Sequence, residues 1–88
     1  MNVIIVSKSG VLDTPFLVKN DITAEATFDS ILKDFVDKKI LNESDVEEIN
    51  RKASIDYGGK LTEANKHLKY RGIEIFWFVD VEVNKYKN

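Results

Sequence analysis

The spacing of hydrophobic positions changes along this chain, and each change marks an element. The opening run, Asn2-Val3-Ile4-Ile5-Val6-Ser7, is β-branched and bounded by Lys8-Ser9-Gly10; a second apolar run, Pro15-Phe16-Leu17-Val18-Lys19, follows. Together they predict two strands of a hairpin with a long connection. Pro15 has no N–H to donate, which places it at the start or edge of the second strand. From Ile22 the period becomes helical: Phe28, Ile31, Leu32, Phe35 and Val36 share one face, while Asp29, Lys33, Asp34 and Asp37 fall elsewhere. Thr23 is the expected N-cap, with Glu25 in the first turn and Lys38 and Lys39 in the last, matching the helix dipole at both ends. Ser44-Asp45-Val46-Glu47 has the S-x-x-E form of a capping box and predicts a second helix with Val46, Ile49 and Ala53 inward.

Tyr57-Gly58-Gly59 reads as a turn, because adjacent glycines cost most entropy inside regular elements. Thr62 then caps a third helix running to about Tyr70, with Leu61, Ala64 and Leu68 inward and Gly72 ending it in a left-handed conformation. From Ile73 to Val83 the chain alternates with period two around β-branched and aromatic residues, a long final strand. The order β-β-α-α-α-β predicts an α+β fold. The last strand joins the hairpin in a small antiparallel or mixed three-stranded sheet, and the helices pack on it. Residues 1–88 form one compact domain, with the polar stretch 84–88 expected to fray.

Composition narrows the function more than it defines it. With 88 residues, 43% of them apolar and 32% charged, four Gly and one Pro, the chain is long enough for one core and too short for a cofactor domain beside a substrate domain. It has no cysteine, which excludes disulfide frameworks, thiol nucleophiles, cysteine-based zinc sites and iron–sulfur clusters. Its longest early apolar run, Val3 to Val6, falls short of a secretory core of roughly 7–15 residues or a membrane span of about 20, so a cytoplasmic location and no membrane contact are expected. Charge divides the chain: nine acids against three lysines in 21–50 leave −6, and six basic residues against two acids in 51–71 leave +4, within a net charge of −2.

Residues that can do chemistry are sparse. His67 is the only histidine, and its sequence neighbours Asn65, Lys66 and Lys69 offer no carboxylate, so it reads as a helix-surface residue. Five serines (7, 9, 30, 44 and 54) have no base in view. The acids at 45, 47 and 48 cluster, as do those at 80 and 82, and such sets can bind Mg²⁺ or serve as acid and base, but a helix start already employs acids in capping. Gly58-Gly59-Lys60-Leu61-Thr62 looks superficially like a phosphate loop, yet it lacks the Walker spacing and a Ser or Thr directly after the lysine. No catalytic residue, cofactor or metal is therefore expected, and the chain reads as a binding protein.

Two surfaces are candidates for that binding. Asp29, Asp34, Asp37, Asp45, Glu47 and Glu48 lie on the acidic helices, where spaced carboxylates can imitate a phosphate backbone and engage a nucleic-acid-binding protein. On the final strand, alternation puts Ile73, Ile75, Trp77, Val79, Val81 and Val83 on one face and Glu74, Phe76, Phe78, Asp80 and Glu82 on the other. One face meets the helices. The other either exposes Phe76 and Phe78 as an acid-rimmed aromatic patch, suited to a protein partner or a homodimer seam, or is covered as well. A nucleic-acid domain using Arg51, Lys52, Lys66, Lys69 and Arg71 around Tyr70 is the alternative, set against an overall pI near 5.3. In general look this cysteine-free, acidic, Lys/Asn/Ile-rich chain resembles the small early proteins of bacterial phages. The resemblance covers the whole chain through size and composition and transfers no residue role. It implies a protein that binds and disables or redirects a host protein, such as a polymerase, nuclease or nucleoid protein.

Overall fold

Strand β1 (Asn2–Lys8) is the centre of the sheet, and every other strand pairs with it. The structure, a computed structural model, describes residues 1–52 and 57–81. Ser9 and Gly10 turn the chain with φ of 53° and 81°, the two positive values of a type I′ hairpin, into β2 (Val11–Leu12). This tight hairpin lies inside what the sequence predicts as a long connection. β3 (Phe16–Val18) then pairs along the same edge of β1, but three steps along β1, from Ser7 to Ile4, are matched by four from Leu12 to Phe16. The extra residue is a bulge between Asp13 and Pro15, where proline has no N–H to offer the ladder. Asp13 N–H still donates to the Val6 carbonyl at 2.9 Å. The expected second strand is β3, β2 is an additional strand within the predicted connection, and the three-stranded expectation becomes an antiparallel sheet of four.

The other edge of β1 takes β4 (Ile73–Phe78), antiparallel from Lys8↔Ile73 to Val3↔Phe78. β4 is shorter than its alternation suggests. Asp80 has φ of 53°, and Val81 N–H donates to the Met1 carbonyl at 2.8 Å. Glu82, Val83, the expected frayed stretch 84–88 and Ala53 lie outside the described residues.

Helix α1 (Asp21–Asp37) buries Ala24, Phe28, Ile31, Leu32 and Phe35, the predicted face. Its N-cap is Asn20, whose side-chain oxygen accepts from Thr23 N–H at 2.8 Å, so the expected cap Thr23 is instead the capped residue. At the other end Ile40 N–H donates to the Phe35 carbonyl and Lys39 N–H to that of Val36, a Schellman motif with Lys39 at φ 61°. A left-handed lysine is strained, so Lys39→Gly is expected to stabilise the protein by about 0.5–1 kcal/mol. A urea midpoint that stayed put or fell would show that the lysine side chain outweighs the strain.

Because that motif ends at Ile40, Asn42 is left to cap α2 (Glu43–Lys52). The Asn42 side-chain oxygen accepts from Asp45 N–H at 2.8 Å, and an Asp45 carboxylate oxygen accepts from Asn42 N–H at 3.0 Å. The capping box is real but sits two residues before the expected Ser44/Glu47 pair. α3 (Tyr57–Leu68) carries Gly58 and Gly59 in its first turn, where the sequence suggests a break; first-turn N–H groups need no intrahelical partner, which softens the cost of glycine there. Thr62, the expected cap, instead donates its hydroxyl to the Gly58 carbonyl at 3.0 Å. A 3₁₀ turn (Lys69–Arg71) and Gly72 at φ 69° close the helix in the expected left-handed conformation.

Helices α1 and α3 pack on the sheet, and α2 packs on α3, adding Ile49 to the same core. Phe28, Phe35, Ile49, Ala64 and Leu68 share one core with Ile4, Val6, Val18, Ile73 and Ile75, and Trp77 packs against it. Trp77 indole N–H donates to the Asn2 side-chain oxygen at 2.9 Å, and the Asn2 amide donates to Asp21 at 2.9 Å, so a buried Asn joins β4 to the start of α1. Asn65 on α3 donates to the Ile75 carbonyl at 2.9 Å and accepts from Ile75 N–H at 2.8 Å. In an antiparallel ladder both polar groups of one residue point to the same side, here away from β1. Asn65 therefore occupies the outer edge of β4.

Candidate functional site

Period two dictates what the sheet shows on the side away from the helices. Val3, Ile5 and Ser7 of β1 alternate with the buried Asn2, Ile4 and Val6. Their cross-strand neighbours are Leu17 and Phe78 beside Val3, Phe76 beside Ile5, and Leu12 and Glu74 beside Ser7. These rows form one apolar face. Phe78 is 50% exposed and Leu17 63%, while Val3, Ile5 and Phe76 are half-buried by one another. The Phe76 and Phe78 rings lie nearly parallel, 4° apart in plane and 6.4 Å between centroids. Between the two arrangements open from the sequence, the described residues leave Phe78 exposed and Phe76 half-buried. Glu74 beside Ser7 gives this face a polar end, whereas Asp80, past the end of β4 with a positive φ, lies with Asn2, Asp21 and Trp77 near the start of α1 and not on the face that alternation assigns it.

The acidic residues are largely occupied within the chain. Asp29 forms an ion pair with Lys60, which reaches across from α3 and lies 6.0 Å from the centre of the Phe28 ring. Asp34 pairs with Lys38 one turn on, at 2.8 Å, and its hydrogen bond and charge hold the Lys38 ammonium above its ordinary pKa. Asp45 belongs to the capping box. Asp37 and Glu47 are exposed, and Glu48 is half-buried. A mimic of a phosphate backbone needs unneutralised charge, and intramolecular cations remove much of it here.

Of the basic set, Lys66 pairs with Glu63 at 3.1 Å, and Arg51, Lys69 and Arg71 are exposed; the Lys52 side chain lies outside the described residues. Tyr70 is 90% exposed between Lys69 and Arg71. Lys60 in its ion pair and Gly58 and Gly59 inside α3 do not form a phosphate cradle.

His67 is placed differently from its sequence reading. Its side chain is only 20% exposed, with Nδ1 at 3.4 Å from Asp45 and Nε2 at 3.8 Å from Glu48, both on the neighbouring helix. Glu63 stands one turn before it on α3, and one ligand atom from each of Glu48, Glu63 and His67 falls within 4.8 Å of the others. Inspecting only the sequence neighbours of His67 misses these groups. The signal that finds them is spacing: four residues from Glu63 to His67 and three from Asp45 to Glu48 put each pair on one helix face.

Comparison with protein-family models, curated proteins and solved structures finds no match. The functional reading therefore rests on the surface itself. Among the described residues, no helix is long and apolar enough to cross a membrane.

Proposed function

We propose that the chain is a small non-catalytic binding protein that seats a partner protein on the open face of its sheet, with Phe76 and Phe78 at the centre. The observation that carries this is the side-by-side pair of rings on a sheet face whose other side packs against α1 and α3. Aromatic side chains ringed by polar groups are the usual anchors of protein interfaces, and a strand-borne patch is presented without ordering a loop. The resemblance to phage early proteins suggests a host protein as the partner and inhibition or modulation as the result. Acidic-helix mimicry is the weaker version, given the cations already beside Asp29 and Asp34. The Lys69-Tyr70-Arg71 turn, with its exposed ring between two cations, favours nucleic acid as the second reading.

The test is capture from a bacterial lysate by tagged wild-type protein and by the Phe76→Ala/Phe78→Ala variant, with and without nuclease and across a salt series. A nuclease-insensitive partner that survives moderate salt and is held at least about tenfold less tightly by the variant is expected. Equal capture by a variant whose circular dichroism matches wild type would remove the aromatic face. Capture lost with nuclease would move the assignment to Arg51, Lys66, Lys69 and Arg71. Sedimentation of the purified protein separates a homodimer seam from a face kept for another chain.

A further inference from the structure

We infer that Glu48, Glu63 and His67 form a divalent-metal site that ties α2 to α3, with zinc the ion its donors suit. Three features support it. First, the ligand atoms converge from two helices and lie within 4.8 Å of one another, while a tetrahedral zinc shell with bonds of about 2.0–2.2 Å needs them about 3.4 Å apart. Each glutamate has three side-chain torsions, and rotation about them is how the site would close that difference. Second, the donor set is one imidazole and two carboxylates. An oxygen-only cluster suits Mg²⁺ or Ca²⁺, whereas an imidazole nitrogen shifts the preference to zinc and its first-row neighbours. Third, the imidazole stands between carboxylates. Nδ1 is 3.4 Å from Asp45 and Nε2 3.8 Å from Glu48, so closing the Nδ1 contact to a hydrogen bond would leave Nε2 for the metal, the carboxylate–histidine–metal arrangement of many zinc centres.

Physical logic points the same way. Carboxylates of Asp45, Glu48 and Glu63 gather around one half-buried imidazole, so a dication there would lower their mutual repulsion. Three protein ligands leave a fourth position for water or for a group on a bound partner. Glu63 would exchange its contact with Lys66 for the metal.

The test uses the full chain, freed of metal with a chelator, and Zn²⁺ alone as the probe. Calorimetric titration should give one ion per chain with Kd in the micromolar range, and Tm should rise by roughly 5–10 °C at a tenfold excess over Kd. His67→Gln and Glu48→Gln should each weaken binding at least about tenfold, and Asp45→Asn, which keeps an oxygen for the helix cap, should weaken it through the imidazole alone. Asp37→Asn should change nothing. Co²⁺ in place of zinc should give visible absorption bands that disappear in His67→Gln. Millimolar affinity in the wild type, or one-to-one binding that survives His67→Gln in a variant with native circular dichroism, would overturn the assignment. In the first case the cluster is a set of ion pairs to His67; in the second the ion sits elsewhere.

Discussion

Replacing Phe28 by alanine is expected to cost about 3–5 kcal/mol, enough to leave much of the protein unfolded at 37 °C, because a domain of this size holds only about 4–13 kcal/mol in total. Phe28 is fully buried, its ring lies 5.5 Å from Trp77 on β4, and the Lys60 ammonium of α3 lies 6.0 Å from its centre. One side chain thus links a strand and two helices. The loss combines transfer of a whole ring with the cavity left behind. Trp77 is the only tryptophan, so its fluorescence in a urea titration reports this site directly, with circular dichroism as the global measure. Phe28→Leu should keep more than half of the stability lost in Phe28→Ala. A cost below about 1.5 kcal/mol for the alanine variant would mean that the core relaxes around the gap and that the three elements are less tightly joined than their packing suggests.

Asn65→Leu is expected to cost about 2–4 kcal/mol, although it exchanges a polar residue for an apolar one of similar size on a helix. The Ile75 N–H and carbonyl would both lose their partner at a half-covered strand edge, where water replaces the amide only in part. Asn65→Asp separates the two bonds. The carboxylate can still accept from Ile75 N–H but opposes the Ile75 carbonyl, so that variant should be least stable at neutral pH. It should recover as pH falls, because the protonated carboxyl can donate and folding then favours the proton-bound form. Amide exchange at Ile75 gives a local reading: protected in wild type, fast in Asn65→Leu. Unchanged exchange would show that Asn65 is not what shields this edge.

These two residues also show what the sequence makes legible. Phe28 is found at once, because helical period in α1 and alternation in β4 point their apolar faces at each other, and the α+β order follows from the same patterns. Asn65 is not found, since an amide at a half-buried helix position looks like any surface residue until the strand beside it is known. Caps fail for a related reason. Asn20 competes with Thr23, and Asn42 with Ser44, and the choice is made by where the preceding element stops, which at Asn42 depends on the left-handed Lys39. The Ser9-Gly10 hairpin and the bulge before Phe16 are hidden because β2 is only two residues long and carries no alternation of its own. Period two alone puts Phe76 and Phe78 on one face of the strand, but not whether anything covers that face, which depends on where the helices pack. The His67 cluster needs the packing of α2 on α3, which no local pattern contains.

The pairing of β1 with β4 has a further effect on how the protein comes into being. The strand at the centre of the sheet is synthesised first, yet its longest partner, from Ile73 to Phe78, is synthesised after all three helices. Until those residues are available, the β4 edge of β1 is unpaired, and the core lacks Ile73 and Ile75. Joining Lys8 to Ile73 closes a loop that contains nearly every other element, and that chain entropy is spent before most of the sheet's bonds are gained. The sheet is therefore completed only when Ile73–Phe78 joins β1, and the aromatic face is assembled in the same step that completes the core.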